Sequence, residues 1–365
     1  MPKILTALMI LLHALIHITG SVSAWKPGYF RQFTTPVSDR AGYYWLLAAL
    51  LFLIALVLFL RSQSTWWIPA LAGLLVSQSL VFQYWTDARW GSVPNALILL
   101  IVIAGFGHWW FERKWKKEVI TFFRTEQLGK PSLITEADLA PLPLPVQRYL
   151  RYTNCVGKPR VRNMRIVFEG TMRSRTQGWF PFRSEQYNFL EAPARLFFMK
   201  GRMKGLMIPG YHRYVRGHAG MDIRLFGLVP MLRHRGGLMD RSETVTLLND
   251  ICLMAPGALL DQRFRWVAVD HQHARVFYKA AGIEVSALLT FSETGQLVNF
   301  HSEDRGDIGD MKIHPFSTPC GQYRDFQGYN LQSEGDAVWH YPDGPFVYGH
   351  FILKTVTYNL DRPAR

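Results

Sequence analysis

The sequence predicts an α+β protein: an N-terminal four-helix transmembrane bundle followed by a large curved antiparallel β-sheet or half-barrel domain with few helices. Three observations lead there. Four apolar runs of 18 or 19 residues fill the first 111 positions. Beyond about residue 161 the apolar period changes from 3.6 to 2. Only 19% of the 365 residues are charged, whereas soluble domains carry about a quarter, so the chain is short of solubilising surface. An apolar content of 49% excludes a mainly disordered chain. Three widely separated cysteines, Cys155, Cys252 and Cys320, make no disulfide framework and suit a reducing compartment.

The apolar runs are Ile4–Val22, Tyr43–Leu60, Trp66–Tyr84 and Val93–Phe111. Each spans about 28 Å as a helix, close to the hydrocarbon thickness of a bilayer. Nine of the twelve tryptophans fall at or near their ends, as an interfacial belt requires. Val22-Ser23-Ala24 would satisfy a signal-peptidase site, but the first run is long and holds His13 and His17, so it reads as a retained helix. Lys3, Arg61, Arg113, Lys114, Lys116 and Lys117 lie on one side, against Lys26, Arg31, Arg40 and Arg89 on the other. The positive-inside rule then places both termini in the cytoplasm.

Residues 1–111 are thus the anchor, 112–145 an amphipathic junction and Pro-rich linker, and 146–365 the β-rich domain. In the junction, Trp115, Val119, Phe122 and Phe123 share a face, as in a helix resting on a membrane surface. Pro141–Pro145 reads as a stiff spacer before a short helix, Val146–Tyr152. Met164, Ile166, Phe168 and Met172 then alternate with polar residues in a first strand. Strands are expected near 180–190, 195–204, 210–217 and 221–227, and one helix at Ser242–Met254, capped by Ser242 or Asp240 and stopped at Pro256-Gly257. A meander follows at 263–269, 274–280, 283–291 and 297–303, with Gly295 as the left-handed residue of its last turn. Strands near 319–326, 335–341 and 347–359 complete the chain. A sheet this long curls and encloses something apolar.

Charge is uneven. Residues 148–241 carry a net +14 and residues 242–365 a net −5. Either the basic half meets an anionic partner such as lipid headgroups, or basic strands pair with acidic loops within the fold. Arg165 and Arg173 stand on the polar face of the first strand and are assigned to lipid or ligand contact, together with Arg183 and Glu185, two apart in the next strand. No nucleic-acid module pattern accompanies the charge, and nucleic acid is not an expected partner.

Inside the anchor, His13 and His17 share a helix face, with Gln78 near the same depth and Asp87 and Arg89 at the turn between the third and fourth helices. Intramembrane polar groups point to function by default, and paired histidines suit haem or a metal ion. Interhelical hydrogen bonding is the preferred account, because His108 lies too shallow to complete a bis-histidine site. No hydrolase, zinc-protease, nucleotide-loop or redox-cysteine signature occurs, so neither a reaction nor a cofactor is assigned. Glu303, Asp304, Asp307 and Asp310 are dense enough for a cation but read as a solvated loop, and Asp270, His271 and His273 read as an exposed hairpin tip.

The blocks Leu144–Tyr152, Gly220–Pro230, Gly321–Phe326 and Gly335–His340 resemble an uncharacterised bacterial family of unknown function. Ser77-Gln78 through Asn95 is similar to the membrane anchor of some of its members. More loosely, the order of strands, one helix and a meander is similar to lipoprotein-carrier-like half-barrels, which implies an apolar concave face that binds lipid or acyl chains. The expectation is a membrane-anchored protein of a bacterial inner or plasma membrane, its C-terminal domain cytoplasmic, binding an apolar or lipid-like ligand near the bilayer. The alternative is a membrane enzyme or electron carrier using the intramembrane histidines.

Overall fold

A computed structural model describes residues 3–29, 34–125, 129 and 131–364, so Arg31 lies outside the described residues. It divides into two compact units, residues 1–113 with 225–229, and residues 114–224 with 230–365.

The first unit is helical: α1 (Lys3–Trp25), α2 (Asp39–Leu60), α3 (Trp67–Gln83), a single turn α4 (Trp85–Ala88) and the start of α5 (Ser92–Thr125). Ser38 caps α2 by accepting a hydrogen bond from the Ala41 N–H. Three helical stretches, Lys3–Trp25, Asp39–Leu60 and Trp85–Thr125, are long and apolar enough to cross a membrane, whereas Trp67–Gln83 is apolar but has only 17 residues. Leu8, Leu12, Leu50, Ile54, Leu97 and Leu100 all face outward. Their exposure suits a hydrocarbon solvent rather than water. Small residues close the interior: Gly20 lies directly against the Trp45 ring, where any Cβ would clash.

The helix itself does not end at Phe111. No Gly or Pro interrupts Glu112–Thr125, so the fourth run and the junction make one 34-residue helix. Within the second unit its amphipathic face is taken up by protein. Trp115 stacks on Phe198 at 5.4 Å and donates to the Leu196 carbonyl at 3.1 Å. Phe122 stacks on Phe189 at 5.0 Å. Glu118 accepts from the Tyr211 hydroxyl at 2.6 Å and pairs with Arg213. A turn α6 (Glu136–Leu139), closed by a capping box at Thr135, leads to α7 (Leu144–Tyr152). Pro143 and Pro145 open α7 instead of acting as a spacer, since proline is tolerated where the first N–H groups are unpaired anyway. Val146, Tyr149 and Leu150 are buried in the main core.

The β unit is one 13-stranded antiparallel sheet. Its strands are β1 (Asn163–Met172), β2 (Phe180–Phe189), β3 (Ala194–Met203), β4 (Leu206–Val215), β5 (His218–Leu225), β6 (Val229–Arg235), β7 (Phe264–Ala268), β8 (His273–Ala280), β9 (Ile283–Phe291), β10 (Leu297–Asp307), β11 (Lys312–Phe326), β12 (Tyr329–Tyr341) and β13 (Gly344–Tyr358). The order β6-β5-β4-β3-β2-β1-β13-β12-β11-β10-β9-β8-β7 is two meanders joined by β1 against β13, from Met164 opposite Tyr358 to Met172 opposite Gly349. One α-helix, α8 (Gly237–Met254), followed by a short 3-10 helix at Pro256–Leu260, connects the two edge strands. Gly295 sits at φ 90° in the Ser292–Gln296 turn, as expected.

Three local expectations change. β6 was not foreseen, because Val229–Arg235 offers little apolar alternation and is largely exposed. Helix α8 starts at Gly237, after Gly236 at φ 108°; Asp240 is used instead to accept from the Ala219 N–H at 2.6 Å. The acidic segment is not a free loop, since Glu303, Asp304 and Asp307 belong to β10. Asp304 accepts from the Ser286 N–H at 2.8 Å and pairs with Arg241, which ties it into the sheet.

Candidate functional site

Helix α8 carries unusual chemistry for a buried helix. Val245, Leu248 and Cys252 are fully buried in the core. Met239, Ser242, Glu243, Thr246, Asn249, Asp250, Leu253 and Met254 recur at helical spacing and line a cavity of about 320 Å³. The stretch from Met239 to Met254 is about 22 Å long. Opposite it, the sheet contributes mostly apolar side chains, among them Phe168, Phe197, Met199, Met221, Phe316 and Trp339. Apolar walls with a few placed polar groups are the usual make-up of a small-molecule site, and methionines let such walls adapt in shape.

The polar groups converge on Arg195, whose side chain is only 7% exposed. Its Nε donates to Asp250 Oδ2 at 2.7 Å, Nη1 to Glu243 Oε2 at 3.0 Å and Nη2 to Gln186 Oε1 at 3.2 Å. Gln186 and Asn188 also donate to Asp250 Oδ2, at 2.9 and 3.0 Å. His212 Nδ1 lies 3.2 Å from Glu243 Oε1. Burial acts to raise the Glu243 carboxyl, but the Arg195 charge and the His212 bond outweigh it and hold the group at about 2. The Glu243 carboxylate and the Arg195 guanidinium are therefore kept ionised against the apolar wall. At another part of the cavity, Arg305 stacks on Phe316 at 3.8 Å and on Trp339 at 4.9 Å, and donates to the Tyr348 hydroxyl at 2.9 Å.

None of the four ligand residues expected from the sequence lines this cavity. Phe168 and Met172 of β1 do, so Arg165, which alternates with them, belongs to the opposite face of the sheet, while Arg173 lies one residue past the end of β1. The same parity separates Arg183 and Glu185 from Phe180 and Gln186 of β2. Arg165 pairs with Glu185 at 2.6 Å, and Arg183 with Glu169, its register partner, at 2.7 Å. Arg173 donates to the Val347 carbonyl at 2.7 Å and stacks on Trp179 and Phe346. Alternation shows which residues share a face but not which face is concave.

The helical unit brings part of its expected cluster together. His13 Nε2 is 2.7 Å from Asn95 Oδ1, which also accepts from Ser77 Oγ at 2.9 Å. Asn95 Nδ2 donates to Gln78 Oε1 at 3.0 Å, and Gln78 Nε2 to Ser92 Oγ at 3.1 Å. This network links α1, α3 and α5. His17 bonds only to the His13 carbonyl, at 2.9 Å, and packs edge-on against His13, Phe52 and Trp45. Both imidazoles are buried, and His13 Nδ1 and His17 Nε2 have no hydrogen-bond partner. Asp87 stands apart and accepts from Thr34 and Thr35, while Arg89 lies over Trp90. Among the described residues no group of three or more His, Cys, Asp or Glu side chains is placed to hold a metal ion. Asp270 accepts from His273 at 2.9 Å in the β7–β8 turn.

A family model for a family of unknown function, DUF6544, matches residues 132–351, which cover α6 to most of β13. The chain belongs to the DUF6544 family. The match contains all thirteen strands in whole or part, α8 and nearly every residue of the cavity wall, so the cavity lies within the DUF6544 region. No curated protein matches the chain. The cavity residues Arg195, His212, Glu243, Asp250 and Arg305 were not foreseen. The one sequence signal for them is the row Ser242, Glu243, Thr246, Asn249 and Asp250, polar side chains on one stripe of a helix that is otherwise apolar.

Proposed function

We propose that the protein is a membrane-anchored binder of an apolar or lipid-like small molecule, which occupies the cavity between α8 and the sheet. The cavity carries this reading: about 320 Å³, lined by Phe and Met side chains with a few fixed polar groups, beneath a helix that spans the sheet edges. The three membrane-length helices support the anchor. Membrane lipids, anionic ones included, are the proposed source and partner, and an acyl chain is the proposed occupant. The proposed location is a bacterial inner or plasma membrane with the β unit cytoplasmic, on the strength of the Lys/Arg bias.

The test is lipid extraction and mass spectrometry of the full chain purified in nanodiscs, beside Met199→Trp, which fills the cavity. A lipid-like species retained by the wild-type chain and lost from the folded variant is expected. Equal content in both would overturn the reading. For orientation, Glu293→Cys places a thiol in the exposed β9–β10 turn. It should react with an impermeant maleimide only after cells are permeabilised. Reaction in intact cells would reverse the topology.

A further inference from the structure

Five carboxylates line the cavity, and each has a partner. Glu243 and Asp250 share Arg195, Asp336 pairs with His350 at 2.6 Å, and Glu334 lies 3.8 Å from Arg324. Asp307 accepts from the Tyr341 hydroxyl at 2.7 Å and the Gly309 N–H at 2.8 Å. The cation Arg305 differs. Among the described residues no carboxylate forms an ion pair with it, although its charge helps to hold Glu243 low. Its Nη1 is used by the Tyr348 hydroxyl and its plane is stacked on Phe316 and Trp339. The other edge of the guanidinium carries Nε, which is buried without a hydrogen-bond partner, and Nη2, which makes no hydrogen bond. Those two N–H groups are parallel, the arrangement that takes both oxygens of a planar carboxylate at once. The stacking holds the fork in one orientation, so little rotamer freedom is lost when an anion binds. From this end the Phe- and Met-lined wall of the sheet runs opposite α8, whose cavity face extends about 22 Å from Met239 to Met254.

We infer that Arg305 is the head-group anchor of the cavity and that its ligand is a single-chain amphiphile ending in a carboxylate, a long-chain monocarboxylic acid, with its tail on the apolar wall of the sheet. This rests on the cavity reading given above and specifies it: the acid group is bound by the Nε–Nη2 edge, and the Met- and Phe-lined wall takes the chain.

The test uses the full chain in nanodiscs, with empty nanodiscs as background, and two fluorescent probes: a dansyl-labelled C11 carboxylic acid and its methyl ester. The wild-type chain should bind the acid about 10-fold more tightly than the ester, the value of one charge-assisted contact. Arg305→Gln should bring the ratio of acid to ester affinity down to about 1, and Arg305→Lys should restore part of the preference. The wild-type comparison needs no variant, so it decides the point even if Arg305→Gln does not fold. Equal binding of acid and ester by the wild-type chain, both lost in Met199→Trp, would overturn the head-group assignment and leave the cavity reading standing. Binding of neither probe, or binding unaffected by Met199→Trp, would overturn both.

Discussion

Replacing Arg195 by Met tests whether the charge network is the structural centre of the β unit. Arg195, Glu243 and Asp250 have side chains 7%, 5% and 13% exposed, and the two ion pairs measure 3.0 and 2.7 Å. At an effective dielectric of about 20, each pair attracts by roughly 5 kcal/mol, most of which offsets the desolvation of the three ions. Removing the cation alone leaves two buried carboxylates facing each other across its place. The expected loss is about 3–5 kcal/mol at pH 7. At about 2–4 °C per kcal/mol for a domain of this size, that lowers the melting point of the β unit by roughly 10 °C. Near-UV circular dichroism of the full chain in detergent micelles reads it. The pH dependence has a definite sign. In the wild-type chain Glu243 titrates at about 2 instead of its ordinary 4.5, so its stabilisation is complete above about 4.5 and is lost as pH falls towards 2. This difference corresponds to about 3 kcal/mol. In Arg195→Met, burial of Glu243 is no longer opposed by that charge, its carboxyl titrates higher, and the variant gains on the wild-type chain as pH falls. The gap in melting point should therefore narrow between pH 7 and pH 4. The triple variant Arg195→Met, Glu243→Gln, Asp250→Asn should recover most of the loss at pH 7. A shift under about 2 °C at pH 7, or a gap that does not change with pH, would refute the account.

Three further outcomes are expected. Gly170→Ala puts a methyl group against the His350 carbonyl across the β1–β13 pairing and should cost at least about 2 kcal/mol, read by the same melting experiment. Burial pushes the Cys155 thiol up to about 11 and Cys320 up to about 12, and raises Cys252 as well; at pH 8 the native chain should release almost no colour with a disulfide reagent, and three equivalents after unfolding. Asn95→Ala removes the hub joining His13, Ser77 and Gln78, and should lower the unfolding free energy of the helical unit in bicelles by about 1–2 kcal/mol; no change would show that the network contributes nothing to bundle stability.

Much of the architecture was legible because it is written in periods. The long apolar runs and the alternation from Met164 onward each reflect a solvent boundary, which a sequence records directly. Boundaries set by partners were not legible. Nothing local announces that Trp115, Phe122 and Phe123 meet a sheet and not a bilayer, since both are apolar surfaces. The cavity was hidden for a related reason. Arg195 and Glu243 are 48 residues apart, and Arg305 and Tyr348 are 43 apart, so only the sheet brings them together. Arg165 and Arg183 drew attention because they stand close in sequence to other charges, yet that same proximity gives them cross-strand partners worth at most about 1 kcal/mol each.

The pairing of β1 with β13 has a consequence for how the protein is made. Every other neighbouring strand pair consists of strands consecutive in the chain, so hairpins can close as they emerge from the ribosome. Strand β1 is complete at Met172, but its second partner begins only at Gly344. At about 5–20 residues per second, the nascent sheet carries an open edge along β1 for roughly 10–35 seconds. That edge includes Ile166, Val167 and Phe168, an apolar template for pairing with another chain. Until the last fifteen-residue strand arrives, nothing in the unit itself covers β1, so the growing chain is most exposed to aggregation in this interval and most in need of a chaperone.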